Sequence, residues 1–107
     1  MLLVENQVLD GVFVSYYDSS NILLSKYIYA EKKLAVIFSK GQQYVYLDVL
    51  PYHYQRFKVS KSQGVGLKEF IIKNYKSEKA SLKLDQETLT QISEEISNLK
   101  KNYEKSF

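Results

Sequence analysis

The sequence predicts an α+β fold: a small antiparallel meander sheet of about four strands, then a short helix, a longer helix and a C-terminal amphipathic helix. The first half holds short β-branched and aromatic runs separated by brief turns, as successive antiparallel strands do. After Pro51 the spacing of apolar residues changes from two to three or four, which is typical of helices. The chain has 107 residues and 45% hydrophobic content, which is enough for one domain with its own core.

Four strands are predicted between residues 12 and 47, and clusters of turn-forming residues separate them. The strands are residues 12–17, 22–29, 34–38 and 43–47. Two-residue alternation places the apolar side chains of the third strand on one face of the sheet. The predicted core joins these side chains to the apolar side of the longer helix, and it consists of Leu34, Val36, Phe38, Leu67, Phe70 and Ile71.

Two helices are predicted after the sheet. Pro51 suits a first helical turn, because the N–H that proline lacks would have no partner there. A loop with two glycines is predicted over Ser60–Gly66, and the longer helix from Leu67 to Lys76. Most apolar residues of the longer helix share one side and its lysines share the other. Ile72 breaks this pattern, because it lies among the lysines.

A C-terminal helix divides the chain into a predicted domain over residues 1–79 and a helical segment over residues 80–107. Asp85 suits the N-cap of this helix. A helix of this length is marginal in water when isolated, so its apolar stripe must pack on something. It can fold back over Ile72 or pair with a second copy, and we expect a homodimer. The stripe has heptad-like spacing and consists of Leu89, Ile92, Ile96, Leu99 and Tyr103.

The composition excludes several classes of protein. The chain has no cysteine, so it forms neither disulfides nor a thiolate metal site. No stretch approaches the roughly 20 apolar residues of a membrane span, and the N-terminal segment lacks the basic start of a signal peptide. We therefore expect a cytoplasmic protein without a membrane, metal or cofactor. His53 is the only histidine, and nothing in the sequence orders a serine and a carboxylate around it, so we expect no enzyme.

Tyrosines and lysines are the residues that indicate a binding partner. Tyr44 and Tyr46 lie two apart on a predicted strand and therefore share a face, and so do Tyr27 and Tyr29. Such pairs either pack in a core or form an exposed platform on which bases stack. Residues 61–84 carry six lysines and two glutamates, and this local charge of +4 can attract phosphates. The predicted basic surface consists of Lys61, Lys68, Lys73 and Lys76.

The order of these elements resembles the KTSC domain, a small module named after the C-terminus of some lysyl-tRNA synthetases. The resemblance runs from about Ser19 to Tyr75, just over half of the chain. Pro51 stands one residue later than in the family, since Leu50 follows Val49. The resemblance depends on an ordered series of residues: Ser19-Ser20, Ile22, Leu34, Val36, Phe38, Gly41, Tyr44-Val45-Tyr46, Val49, Tyr54, Phe57, Ser62-Gln63-Gly64, Ile71 and Tyr75.

The resemblance implies no established activity, and the link to tRNA synthetases suggests RNA binding by association alone. We expect a non-enzymatic binding module for RNA or another single-stranded nucleic acid, which acts through exposed tyrosines and the lysines. The alternative is a protein-interaction or assembly module of a bacterium or phage, which acts through the stripe of the C-terminal helix. The exposed face of the sheet and the position of that helix separate the two hypotheses.

Overall fold

The computed structural model describes residues 1–79 and 83–105, with side chains up to Asn102. In this part of the chain six strands form one antiparallel sheet, and each strand pairs with its neighbours in sequence. The predicted α+β class is confirmed, although the sheet has six strands and not about four. The strands are β1 (Leu2–Leu9), β2 (Val12–Tyr17), β3 (Ile22–Ile28), β4 (Lys33–Phe38), β5 (Gln43–Tyr46) and β6 (Ser77–Lys79).

The two additional strands lie at the edges of the sheet. β1 pairs with β2 across the Asp10-Gly11 turn, so that Leu9 lies opposite Val12. Its polar middle, residues 5–7, lacks the apolar alternation that predicts a strand. β6 contains only exposed residues, and it is a strand because its backbone pairs with the edge of β5.

The helices of the described residues are α1 (Pro51–Lys58), α2 (Gln63–Gly66) and α3 (Gln86–Lys105). The predicted loop is wrong in its second half, because the Ser62 hydroxyl accepts a hydrogen bond from the Val65 N–H and caps α2. Gly66 lies against the end of α1, where a Cβ atom would come within 2.3 Å of the Ser60 Oγ. Only glycine allows this close approach of α1 and α2.

A π-helical turn over Leu67–Ile72 continues directly from α2, so the helix ends before the predicted Lys76. In this turn the Lys73 N–H bonds to the Lys68 carbonyl, five residues earlier, at 3.3 Å. The wider spacing changes the direction of the side chains from that of a regular α-helix. Ile72 is 50% exposed, so it lies on the lysine side of this turn, as the sequence pattern indicates.

The core lies on the first face of the sheet, beneath α1, α2 and the π turn. Aromatic rings fill it: Tyr27 stacks on Tyr54 with centroids 4.2 Å apart, and Tyr17 packs on Phe57 at 5.5 Å. These four side chains are at most 1% exposed. This cluster of four buried rings therefore joins β2 and β3 to α1 and fixes the helix on the sheet.

The predicted core is confirmed at its centre and wrong at its margin. Phe38 and Phe70 are half-buried and pack against the core from outside, because they lie at the end of β4 and on the outer part of the π turn. The predicted residues that are buried are Leu34, Val36, Leu67 and Ile71.

The tyrosine hydroxyls in this core have hydrogen-bond partners, as burial of a polar group requires. The hydroxyls of Tyr17 and Ser25 lie 2.7 Å apart, and the Tyr27 hydroxyl donates to the Val49 carbonyl at 2.5 Å. Burial raises the pKa of Tyr17 and raises the pKa of Tyr27 to about 12. These hydroxyls therefore stay neutral at physiological pH and hold specific pairs of elements together.

Polar contacts tie the N-terminal strand to the same face. The Glu5 carboxylate accepts from the Tyr54 hydroxyl at 2.5 Å and from the Lys58 ammonium at 3.0 Å. The Gln63 side chain, which is fully buried, accepts from the N-terminal amine of Met1 and donates to the Lys58 carbonyl at 3.2 Å. The N-terminal segment is thus bonded to α1 and α2, although no residue of β1 is fully buried.

The second face of the sheet carries α3, which contacts β1 and β3 of its own chain. Leu24 is buried there, because successive side chains of a strand alternate and its neighbour Ser25 points to the first face. Ile96 of α3 is also buried, and Lys100 forms an ion pair with Asp18 at 3.4 Å. The C-terminal helix therefore folds back in cis over the sheet.

The start of α3 is fixed at the turn between β4 and β5. The Leu84 N–H bonds to the Gly41 carbonyl at 3.1 Å, and a Cβ atom on Gly41 would lie 3.1 Å from the Leu89 Cδ1. Gly41 has a φ of +93°, which side chains disfavour. Asp85 caps α3 as predicted, since its carboxylate accepts from the Thr88 N–H at 2.7 Å, and this bond lowers the pKa of Asp85.

Candidate functional site

A cleft of about 640 Å³ lies where the end of β4 and the start of β5 meet α2 and the π turn. This volume is within the range of ligand pockets, about 300–1,000 Å³. Apolar and polar side chains share its lining. The apolar ones are Ile22, Phe38, Tyr44, Leu67 and Ile72, and the polar ones are Asn21, Ser39, Lys40, Gln42, Lys68 and Lys79.

Two aromatic rings form one wall of the cleft. Phe38 and Tyr44 meet edge to face, with centroids 5.7 Å apart and planes at 88°. Tyr44 lies opposite Val36 in the β4–β5 pairing, so it is on the first face of the sheet. Tyr44 is half-buried, because one part of its side chain packs on the core and another part lines the cleft. A flat ligand group can therefore contact an aromatic surface here.

Three lysines surround this wall. Lys40 belongs to the β4–β5 turn, Lys68 to the π turn, and Lys79 lies opposite Tyr44 in the β5–β6 pairing. All three are exposed, and within the described residues none of them forms an ion pair and no carboxylate lines the cleft. Their positive charges are uncompensated, so the cleft attracts anions.

The π turn decides which side chains reach the cleft. Leu67 and Ile71 are buried in the core, and the residues that follow each of them, Lys68 and Ile72, line the cleft. One short element thus contributes both a cation and an apolar surface to the same site. π-helical turns of this kind are frequent at functional sites.

Two side-chain amides complete the lining. Neither the Asn21 amide nor the Gln42 amide has a hydrogen-bond partner among the residues that the structure describes. An amide offers both donors and an acceptor. The cleft therefore combines an aromatic surface, cations and groups that can hydrogen-bond to the edge of a heterocycle.

Two of the four predicted tyrosines are closed to any ligand. Tyr27 and Tyr46 are only 0% and 5% exposed, so the expectation of an exposed platform is wrong for them. Both face the core side of the sheet, and burial raises the pKa of Tyr46. Tyr29 is half-buried, and its hydroxyl accepts from the Gln55 amide at 3.1 Å. Of the four, Tyr44 is the one that lines the cleft.

The predicted lysines are also divided. Lys68 lines the cleft, whereas Lys61, Lys73 and Lys76 are exposed and do not line it. Lys73 instead forms an ion pair with Glu69 at 3.1 Å. Of the four lysines that the local charge indicated, only Lys68 lines the cleft.

Reasoning from the sequence did not assign most of the cleft residues to a binding site, and Phe38, Lys40 and Lys79 are among those that it missed. Phe38 was assigned wholly to the core, and Lys40 was assigned only to a turn. Lys79 could not be placed without β6, whose pairing with β5 positions it opposite Tyr44. A lysine beside the turn glycine at the end of an alternating strand was the one available indication.

His53 is half-buried. Its Nδ1 lies 2.5 Å from the Tyr75 hydroxyl, which also accepts from the Leu50 N–H at 3.1 Å. This pair joins α1 to the segment after the π turn. Across the described ranges, no group of His, Asp and Glu could hold a metal ion.

The residues predicted to mediate oligomerisation lie on two separate surfaces. Ile72 lines the cleft. On α3, Ile96 is buried and Leu89, Ile92 and Leu99 are half-buried, while the side chain of Tyr103 lies outside the described residues. A homodimer through α3 stays a prediction. Among the helices that the structure describes, none has the length and apolar character to cross a bilayer.

Comparison with known families places most of the cleft within a recognised unit. The family model of the KTSC domain matches residues 18–75, which is more than half of the chain. The matched segment contains β3, β4, β5, α1, α2 and the π turn, whereas Lys79 and α3 lie beyond it. No curated protein matches the chain.

Proposed function

This chain belongs to the KTSC domain family, and we propose that it is a non-enzymatic module that binds RNA or another single-stranded nucleic acid in the cleft. One observation carries the proposal: Lys40, Lys68 and Lys79 surround the Phe38–Tyr44 wall, and no carboxylate of the described residues lines the cleft. Single-stranded nucleic acids are bound by cations that follow the backbone and aromatic rings on which bases stack.

The placement of the charges favours a nucleic-acid strand as the ligand, in preference to a small uncharged molecule. Lys40 is on the β4–β5 turn, Lys79 is on β6 and Lys68 is on the π turn, so cations approach the cleft from three elements. Phosphates on successive nucleotides can then contact different lysines while one base lies on Tyr44. The unpaired amides of Asn21 and Gln42 are available to that base.

Titration of a labelled unstructured RNA, and of the DNA of the same sequence, tests the proposal. The variant K40Q/K68Q/K79Q should bind about tenfold more weakly or worse, because three phosphate contacts are lost. The variant K61Q/K73Q/K76Q loses the same charge outside the cleft and is the matched control. It should bind within about threefold of the native protein.

The salt dependence of the affinity and substitutions in the aromatic wall provide two further tests of nucleic-acid binding. With three phosphates contacted, the slope of log affinity against log salt should be about −2, and it should approach zero in the cleft variant. Tyr44→Ala should weaken binding by about 1–3 kcal/mol, while Tyr44→Phe keeps the ring and most of the affinity. Absence of binding at low salt, or equal losses in the two lysine variants, would overturn the proposal.

A further inference from the structure

We infer that a second surface, formed by Arg56 with Tyr52, Val59 and Phe70, binds a carboxylate in an acidic, partly apolar segment of a protein partner. None of these residues lines the cleft. This surface is separate from the cleft, because it lies on the outer side of α1 and on Phe70, which does not line the cleft although it belongs to the π turn. The starting point of the inference is that Arg56 is the only arginine among the fifteen basic residues.

Aromatic rings hold the guanidinium of Arg56 in place. Its central carbon lies 5.9 Å from the centroid of Tyr52 and 5.3 Å from the centroid of Phe70. Both distances are within the range of cation–π contact. A guanidinium that is oriented by rings keeps its N–H groups in a fixed plane, and it loses less freedom when it binds. Lysine could not present donors in this way.

The N–H groups of Arg56 are available to a partner. Arg56 is exposed, and within residues 1–79 and 83–105 its side chain has neither an ion pair nor a hydrogen bond. By contrast, the neighbouring Lys58 is already paired with Glu5 at 3.0 Å. The planar fork of arginine matches the two oxygens of a carboxylate. Arg56 is thus a prearranged donor without an acceptor among the described residues.

Apolar side chains flank this donor. Tyr52 is 64% exposed and lies four residues before Arg56 on α1, which places the two side chains next to each other. Val59 is 65% exposed and directly follows the end of α1, three residues after Arg56. Exposed tyrosine and arginine together are typical of the residues that dominate protein interfaces. Residues 50–61 contain no carboxylate. Charge complementarity therefore favours an acidic partner.

A protein segment fits this surface better than a nucleic acid does. Nucleic-acid surfaces use several cations along a backbone. Here there is one free guanidinium, and its flank at Val59 is aliphatic. An aliphatic flank suits an apolar side chain next to an aspartate or glutamate, and not a chain of phosphates.

Because there is one arginine, its Nε–H gives one resonance in a ¹⁵N spectrum of the full chain, and this resonance is the readout. The probe is a short peptide of alternating leucine and aspartate, and its control has asparagine in place of aspartate. The Arg56 Nε–H and the Tyr52 and Val59 amides should shift with the aspartate peptide and saturate at or below about 1 mM. The asparagine peptide should leave them in place.

Arg56→Lys keeps the charge but removes the fork, and it should weaken peptide binding about fivefold or more. Unchanged amide shifts elsewhere in its spectrum verify that the variant is folded. Lys68→Gln, in the cleft, should have no effect on the peptide. A response to both peptides alike, no response to the aspartate peptide, or a response of Arg56 to a short RNA alone would each overturn the inference.

Discussion

The two faces of the sheet are covered in different ways. On the first face, Tyr27, Tyr54 and Phe57 are 0% exposed, and the tyrosine hydroxyls are hydrogen-bonded. On the second face, the contact side of α3 contributes one buried residue, Ile96, at 9% exposure, with half-buried neighbours. The first face is a packed core, whereas the second is a helix lying on a sheet. Most of the stability should therefore come from the first face.

The same division appears in the family match. The matched residues 18–75 supply all the helical elements of the first face, whereas α3 lies beyond them. The cleft opens on the first face and includes rings that pack against the core. A ligand in the cleft would contact the well-packed part of the molecule, which would lower the entropy that binding loses. α3 covers the second face and is close to Gly41, in the turn between two residues that line the cleft, Lys40 and Gln42.

Truncation of one buried residue on each face should give the largest difference in the free energy of unfolding between the two faces. Phe57→Ala should lower the free energy of unfolding by about 3–5 kcal/mol, because it removes a fully buried ring and leaves a cavity. Ile96→Ala on α3 should cost about 1–2 kcal/mol, below the range of a fully enclosed site, since a helix on an open face can shift to close the gap. Urea unfolding measures both. Equal losses would mean that the second face is as well packed as the first.

The Glu5–Lys58 pair tests how much the polar contacts of the first face contribute to the free energy of unfolding. Glu5→Gln removes the charge opposite an ammonium whose side chain is 9% exposed. The Glu5 side chain is 23% exposed, so water reduces the cost to about 2 kcal/mol, below the roughly 3–5 kcal/mol of a fully buried pair.

A second substitution separates the pair from the fold. Lys58→Met in the Glu5→Gln background should recover part of the loss, because the unpaired charge is then gone. Urea unfolding of the single and double variants gives the coupling free energy. If the double variant is as unstable as the sum of the two singles, the two side chains do not act as a pair.

The sequence predicted the first face well, because its patterns are local. Alternation in β4 and the proline that begins α1 each depend on a few neighbouring residues. The Asp85 cap of α3, on the second face, was predictable for the same reason. β1 and β6 depend instead on partners that are distant in the chain. β6 in particular has no apolar residue, and only the edge of β5 makes it a strand.

The cleft was predictable only in part for the same reason. Tyr44 and Lys68 could be named from aromatic alternation and local charge. Lys79 could not, since its position depends on β6. Period-two alternation places Tyr27 and Tyr46 on a face but does not tell whether that face is covered. The π turn itself was not predicted, because no simple period in the sequence indicates such a turn.

The buried tyrosines make the first face sensitive to high pH. Burial raises the pKa of Tyr27 from 10.0 to about 12, and it raises those of Tyr17 and Tyr54 as well. In the folded state these hydroxyls keep protons that the unfolded chain has lost, so stability is full below about pH 10 and falls as pH rises toward 12. Urea unfolding at pH 8, 10 and 11 should show this fall, and Tyr27→Phe should reduce it. A flat profile would contradict the burial of these hydroxyls.

The smallest effect concerns the ion pair that holds α3 on the second face. Asp18 and Lys100 are 3.4 Å apart, but their side chains are 43% and 44% exposed. A double-mutant cycle with Asp18→Asn and Lys100→Gln should give a coupling free energy of about 0.5 kcal/mol or less, which high salt should abolish. Lys101→Gln is the matched control and should not couple to Asp18, because Lys101 forms no ion pair in the part of the chain that the structure describes. If α3 lies on its own sheet, the coupling is the same at low and high protein concentration. A coupling that appears only at high concentration would instead mean that α3 packs on a second copy, as the heptad-like stripe predicted.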